Sequence, residues 1–319
     1  MKMQGNFLSK GKCMFLSVLC AASLTCCSKT DLQNPSAVSN DKDVVPASRA
    51  HLPSNPRLLL EETMEGHRPF SNVIAENCKT KWTYSFCNPA FRGEKSVRFE
   101  IRKDQPLVGS AKRIRSEVTV IRGDEFPGFS RSAWYSFAIY FPSQGFEPDD
   151  TRDCINQWFE DGSDETTLRT RGDRAFLEVT PPEGSTHLKK YDLFTPSFTG
   201  AGSLANFEKI PKDKWHEFVF HFIHSKGPDG RITVWRDGKL IHDIAGRNMH
   251  LKIPKWKIGL YKASFLNGTS PHSSRVLYFD NVRVGGPEAR LADMVSHRGS
   301  VIVDPDCPEG NCPDIPDMP

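Results

Sequence analysis

Residues 231–244, RITVWRDGKLIHDI, read as two short strands folded back on a two-residue turn. Ile232–Trp235 carries β-branched and aromatic residues, KLIHDI (239–244) follows, and Asp237-Gly238 is a dipeptide that accepts the positive φ of a tight hairpin turn. Upstream, Trp215–Ile223 is another strand, and AWYSFAIYF (133–141) is a nearly continuous apolar one. Val97, Phe99 and Ile101 alternate with polar neighbours, and so do Ile114, Val118 and Val120; Trp256–Lys262 and Val276–Val284 close the series. No long stretch carries the 3.6-residue period of an amphipathic helix. The 319 residues are 38% hydrophobic with 23 Gly and 23 Pro, which excludes a disordered or collagen-like chain and leaves enough apolar material for a core. Many short strands with Pro/Gly punctuation predict an all-β fold, a single sandwich of two antiparallel sheets over residues 57–295.

The flanks have a different character. Residues 1–26 read as a signal peptide, with a lysine-bearing start and an apolar run from Cys13 through Leu24 that is too short to span a bilayer. Leu24-Thr25-Cys26-Cys27 resembles a bacterial lipoprotein box, with Cys27 as the lipid anchor. That reading exports the protein to the bacterial cell envelope, at the outer membrane. Residues 27–56, rich in Ser, Asn, Asp and Pro, read as a flexible tether, and 296–319, ending in DPDCPEGNCPDIPDMP, as a Pro/Asp-rich tail. The chain has 42 Lys+Arg against 39 Asp+Glu; removing Lys2, Lys10 and Lys12 with the signal balances the charge. A neutral mature chain argues against a nucleic-acid partner, and a monomer is expected. Export favours pairing of thiols: Cys78 with Cys87 to staple an early loop, Cys307 with Cys312 in the tail, and Cys154 left over.

Three strands carry polar residues on one face. In KRIRSEV (112–118), alternation places Arg113, Arg115 and Glu117 opposite Ile114 and Val118. A Glu beside an Arg orients the guanidinium fork, which matches a carboxylate. In CINQWF (154–159), Gln157 shares a face with Ile155 and Phe159, and its amide has hydrogens to donate. In WKIGLYK (256–262), Trp256, Ile258 and Leu260 face the core, while Lys257, Gly259 and Tyr261 face away. Glycine there permits a close approach to the backbone, and a cation near a tyrosine favours the phenolate that accepts protons.

Together RSEV (115–118), NQWF (156–159) and KIGLY (257–261) resemble the three ordered signature segments of β-jelly-roll polysaccharide lyases, the alginate lyases among them. GEKSVRFEIR (93–102), DGRITVWRDGKLI (229–241) and VLYFDNVRVGG (276–286) resemble the heparinase-I-like and glucuronan lyase group more closely still. The resemblance implies a concanavalin-like β-jelly roll that cleaves an anionic, uronic-acid-containing polysaccharide by β-elimination. Arg115 and Gln157 would neutralise the substrate carboxylate, Tyr261 would move protons, and Lys257 would keep Tyr261 reactive or bind the sugar acid. Arg113, Glu117, His187 and Tyr191 would contact substrate. The chemistry requires no cofactor; related sandwiches suggest a structural Ca²⁺, with Asp280 as the ligand to examine.

One departure stands out. Where those lyases carry His two residues after the Gln, this chain has Phe159, which cannot accept a proton. Elimination would then run syn through Tyr261 alone, unless His187 or His221 takes the role; His216 reads as structural. Arg169, Arg171, Arg174, Lys189, Lys190 and Lys262 would rim an acidic-glycan groove, and Tyr191 and Phe194 would stack on sugar rings as exposed aromatics. The competing reading is a non-catalytic glycan-binding lipoprotein of the same fold, since fold alone does not set function. A glycoside hydrolase needs paired carboxylates, and no Glu-x-Asp-x-x-Glu strand is present.

Overall fold

The hairpin forms as read. Arg231–Arg236 pairs antiparallel with Lys239–Ala245, and Asp237 and Gly238 both take positive φ, 50° and 75°. The structure is a computed structural model that describes residues 55–296, apart from 67–69, 71–73, 81–82, 124–127, 161–162, 180–187, 198 and 201–203. The residues read as a signal peptide, Cys27, the stretch read as a tether up to residue 54, and the tail cysteines therefore lie outside the described residues.

In chain order the strands are β1 Leu58–Glu62, β2 Ile74–Glu76, β3 Tyr84–Cys87, β4 Ser96–Arg102, β5 Arg115–Ile121 and β6 Ser132–Tyr140. There follow β7 Asp149–Glu160, β8 Ser163–Gly172, β9 Arg174–Val179, β10 Lys189–Asp192 and β11 Thr199–Gly200. The series ends with β12 Trp215–Ile223, β13 Arg231–Arg236, β14 Lys239–Ala245, β15 Lys255–Tyr261 and β16 Ser274–Gly285. A single helical turn, α1 Leu291–Met294, comes last. One sheet runs β14-β13-β12-β6-β16-β4-β3 with β1 beside β16; the other runs β11-β10-β9-β8-β7-β15-β5-β2. All of the pairings among the described residues are antiparallel. The expected all-β jelly-roll sandwich is therefore present.

The core lies between the sheets and is rich in aromatic rings. Trp256, Ile258 and Leu260 of β15 point into it, as their spacing predicts, with Val118 and Val120 of β5. Trp158 of β7 meets Phe220 and Phe222 of the opposite sheet at 5.1 and 4.6 Å, and Trp256 meets Tyr135 at 5.1 Å. Offset and edge-on ring pairs of this kind contribute about 0.5–1.5 kcal/mol each beyond the apolar area they bury. The inward rings hold β7, β15 and β5 in place, so the outward face of those strands is presented on a rigid support.

Two strand readings need correction. Ile155 lies in the core with Trp158, three residues on, because β7 shifts register against β8 between Cys154 and Asn156; Gln157 therefore does not share its face. Arg113 is exposed and precedes β5: Lys112 takes φ 49°, and Arg113 exchanges backbone hydrogen bonds with Val108 in a tight turn. Nor does a disulfide join Cys78 to Cys87. Cys87 is buried at the end of β3, and Cys78 Sγ lies 3.2 Å from Thr80 Oγ1.

Candidate active site

Lys257, Gly259 and Tyr261 leave β15 on the side away from the core, where β7 and β5 flank it. Segments far apart in sequence thus become neighbours. In the ladder Lys257 lies opposite Gln157 on one side and Thr119 on the other, Gly259 opposite Glu117, and Tyr261 opposite Arg115. Directly opposed residues place their Cβ atoms about 4.5–5.5 Å apart, whereas four residues along one strand span about 13 Å. Arg115 rather than Lys257 is therefore the cation beside Tyr261.

Gly259 holds the centre of this face at φ 130°. A Cβ there would stand 2.3 Å from the Ser116 carbonyl oxygen and 2.7 Å from Glu117 Cα. The close approach that this glycine permits is that of the neighbouring strand, and it draws Glu117 in beside β15.

Glu117 is 2% exposed and accepts a short hydrogen bond from the Gln157 amide. Burial pushes its carboxyl up to about 7, against the pull of Lys257, Arg115 and the Gln157 hydrogen bond. Arg115 Nη1 lies 3.7 Å from Glu117 Oε2 and 3.0 Å from Glu76 Oε1. Lys257 Nζ is paired with the other oxygen of Glu76 and stands 5.0 Å from the Phe159 ring centroid. Gln105 fixes the backbone here, its Nε2 donating to the Arg115 carbonyl at 3.1 Å.

Glu76 is the member of this group that sequence reasoning missed. It comes from β2, a three-residue edge strand too short to carry a readable period, and lies directly opposite Glu117. Two carboxylates face to face repel each other; two cations drawn onto Glu76 and a raised pKa at Glu117 relieve that repulsion. Phe159 supplies an aromatic face to the Lys257 ammonium.

Several expected contacts fall elsewhere. Tyr191 and Phe194 are 8% and 2% exposed and belong to the core, because the alternation of β10 turns Tyr191 inward against Leu177. Lys262 is fully buried, with Asp153 Oδ1 at 2.7 Å and Asp149 Oδ2 at 3.1 Å, and Arg275 completes that network. It anchors the strand end next to Tyr261 instead of rimming a groove. His221 lies on the far face of the opposite sheet, its ring stacked on Trp134 at 4.1 Å. His216 is buried on the Pro211 carbonyl at 2.8 Å, a structural placement, and His187 is outside the described residues.

Asp280 does not fit a calcium ligand set. Its oxygens accept from the backbone N–H groups of Phe91 at 2.7 Å, Arg92 at 3.2 Å and Asn281 at 2.7 Å, and such donors repel a cation. Burial raises this carboxyl to about 6. Among the described residues no three His, Cys, Asp or Glu side chains converge as a metal site.

A family model described as polysaccharide lyase matches residues 67–283, which include every strand of this face. The chain belongs to the polysaccharide lyase family. Among solved structures, the lyase is similar to the endo-β-1,4-glucuronan lyase of the fungus Trichoderma reesei, at 18% identity and TM-score 0.55, over 78% of this chain and 99% of that one. It is also similar to the PL-14 alginate lyase of Aplysia kurodai, at 13% identity and TM-score 0.48, over 72% and 99% of the two chains. A search of curated proteins found no match.

Proposed function

We propose that this polysaccharide lyase acts on a uronic-acid-containing polymer by β-elimination at the β7–β15–β5 face. The reading is carried by one observation: Gln157, Tyr261 and Arg115, from segments far apart in sequence, occupy adjacent strands on one outward face. Arg115 and the second amide hydrogen of Gln157 neutralise the sugar carboxylate, which makes the C5 proton more acidic and stabilises the enolate-like intermediate. Tyr261 accepts the C5 proton. The C5–H electrons form the C4=C5 double bond, the C4–O bond breaks, and the leaving oxygen recovers a proton from Tyr261 on the same side of the ring. No water is consumed and no cofactor takes part. The test is the ultraviolet absorbance of newly formed unsaturated uronate when the protein meets glucuronan, alginate and heparin; silence on all three rejects the reading.

Before substrate arrives, Glu76 occupies both Arg115 and Lys257. A uronate carboxylate must take Arg115 from it. Glu76→Gln is expected to lower KM by about fivefold, the equivalent of roughly 1 kcal/mol for one charge-assisted contact. An unchanged or raised KM would mean that Glu76 positions the cations rather than competing for them.

Glu117 makes substrate affinity depend on pH. Below about 7 it is neutral, and Arg115 and Lys257 outnumber the ionised carboxylates; above about 7 its charge opposes the substrate. KM should rise as pH increases through about 7, and Glu117→Gln should flatten that rise. The linkage to stability has the same sign. The folded pKa lies above the ordinary 4.5, so Glu117 favours the fold below 4.5 and that contribution is lost as pH rises to about 7.

We also propose that the lyase is an exported lipoprotein of the cell envelope, anchored at Cys27. Cys27→Ala should move it from the membrane fraction to the soluble fraction; continued membrane association would reject the anchor.

A further inference from the structure

Asn267-Gly268 is the one Asn-Gly dipeptide in the 319 residues. Such a pair often forms the turn of a β-hairpin, but here it lies in the loop between a short 3-10 turn, Ala263–Phe265, and β16. Both residues are exposed, as are Leu266 and Thr269 beside them. The chemistry of the pair follows from its residue types. The backbone nitrogen after an asparagine can close a five-membered ring on the side-chain amide carbon, and a glycine nitrogen has no neighbouring Cβ to shield it.

The loop leaves this ring closure open and supports it. The Gly268 N–H donates no hydrogen bond among the described residues, whereas the next one, of Thr269, donates to the Ser264 carbonyl at 3.1 Å. Gly268 takes φ 72°, and no atom lies within 4 Å of the place its Cβ would occupy. Asn267 Oδ1 accepts from Thr269 Oγ1 at 2.7 Å and from the Thr269 N–H at 3.2 Å. Two donors on that oxygen draw electrons from the amide carbon and stabilise the negative charge that collects there during attack. Lys103 Nζ lies 3.2 Å from the carbonyl oxygens of both Gly268 and Ser270, a positive charge that favours loss of the nearby amide proton.

We propose that Asn267 is a site of self-modification, where the folded protein converts asparagine to aspartate and isoaspartate through a cyclic imide. Gly268 N gives its proton to hydroxide and bonds to Asn267 Cγ; the Cγ–Nδ2 bond breaks, and the nitrogen leaves as ammonia with a proton from water. Water then opens the imide. Cleavage between Cγ and the ring nitrogen gives aspartate, and cleavage at the backbone carbonyl gives an isoaspartyl linkage with one more methylene in the main chain. Nothing is oxidised or reduced, and water is the only co-reactant. Either product adds a negative charge to the loop that follows Tyr261 and Lys262. Ser264 Oγ, 2.8 Å from Thr151 Oγ1, and Ser270 Oγ, 2.5 Å from Asp149 Oδ2, pin the loop on both sides of the pair, so the change stays local. This assignment does not depend on the elimination mechanism.

The test is peptide mapping by mass spectrometry of the folded protein held at neutral and at mildly alkaline pH, with methyl transfer by a protein isoaspartyl methyltransferase to count isoaspartate. The peptide that holds Asn267 should show the amide-to-acid mass change before any other asparagine peptide. Its rate should rise about tenfold per pH unit, because the deprotonated nitrogen is the reacting form. Gly268→Ala should slow the change about tenfold, equivalent to about 1.4 kcal/mol in the barrier. The added methyl meets no atom within 4 Å, and thermal unfolding checks that the variant is folded. If Asn267 keeps its amide as long as the other asparagines do, or if folded Gly268→Ala reacts at the parent's rate, the assignment is wrong. Reaction seen only after unfolding in urea would also overturn it, since the fold would then close the route.

Discussion

Tyr261→Phe should lower kcat by about 10³-fold, within the range expected when a positioned acid–base group is removed. The substitution deletes one oxygen and keeps the ring. Tyr261 is half-buried at the end of β15, where its neighbour Lys262 is locked between Asp149 and Asp153 in a fully buried network, so the strand should hold its course without the hydroxyl. Arg115 and Gln157 remain to bind the carboxylate, and affinity for the polymer should stay within about twofold. The paired measurements are the initial rate of unsaturated-uronate formation and a binding titration. If the variant retains more than about a tenth of the parent rate, Tyr261 is not on the proton path.

Gly259→Ala should cost about 4 kcal/mol of stability, combining overpacking with a backbone conformation that alanine disfavours. The added methyl would stand 2.3 Å from the Ser116 carbonyl oxygen and 2.7 Å from Glu117 Cα at φ 130°. Both obstacles are main-chain atoms, so no side chain can rotate out of the way. β5 would have to move away from β15, carrying Arg115 and Glu117 off the face where Tyr261 stands. Against a total domain stability of about 5–15 kcal/mol the loss is severe, and urea unfolding reads it directly. A loss under about 1 kcal/mol would show that the two strands separate without penalty and that this close approach does not set the site.

The reading of individual strands carried far. The period of two in WKIGLYK separated Trp256, Ile258 and Leu260, now in the core, from Lys257 and Tyr261 on the outward face. It failed where the pleat is interrupted. A register shift within CINQWF sends Ile155 inward, and a turn at Lys112 takes Arg113 off the strand. Tyr191 looked exposed because its neighbours Lys189, Lys190 and Asp192 are charged, yet the pleat points it inward. Lys262 looked like a rim cation because its burial depends on Asp149 and Asp153, more than a hundred residues earlier.

By itself, then, the amino-acid order determined the fold class and which residues of β15 face outward, because alternation is a local property of an extended backbone. Which cation stands beside Tyr261, which carboxylate holds Arg115 and Lys257, and how far Glu117 is pushed from an ordinary carboxylate were decided only in the tertiary structure. Lateral neighbours in a sheet are set by hydrogen-bond register between distant segments, and the burial that shifts a pKa arises only once those segments have met.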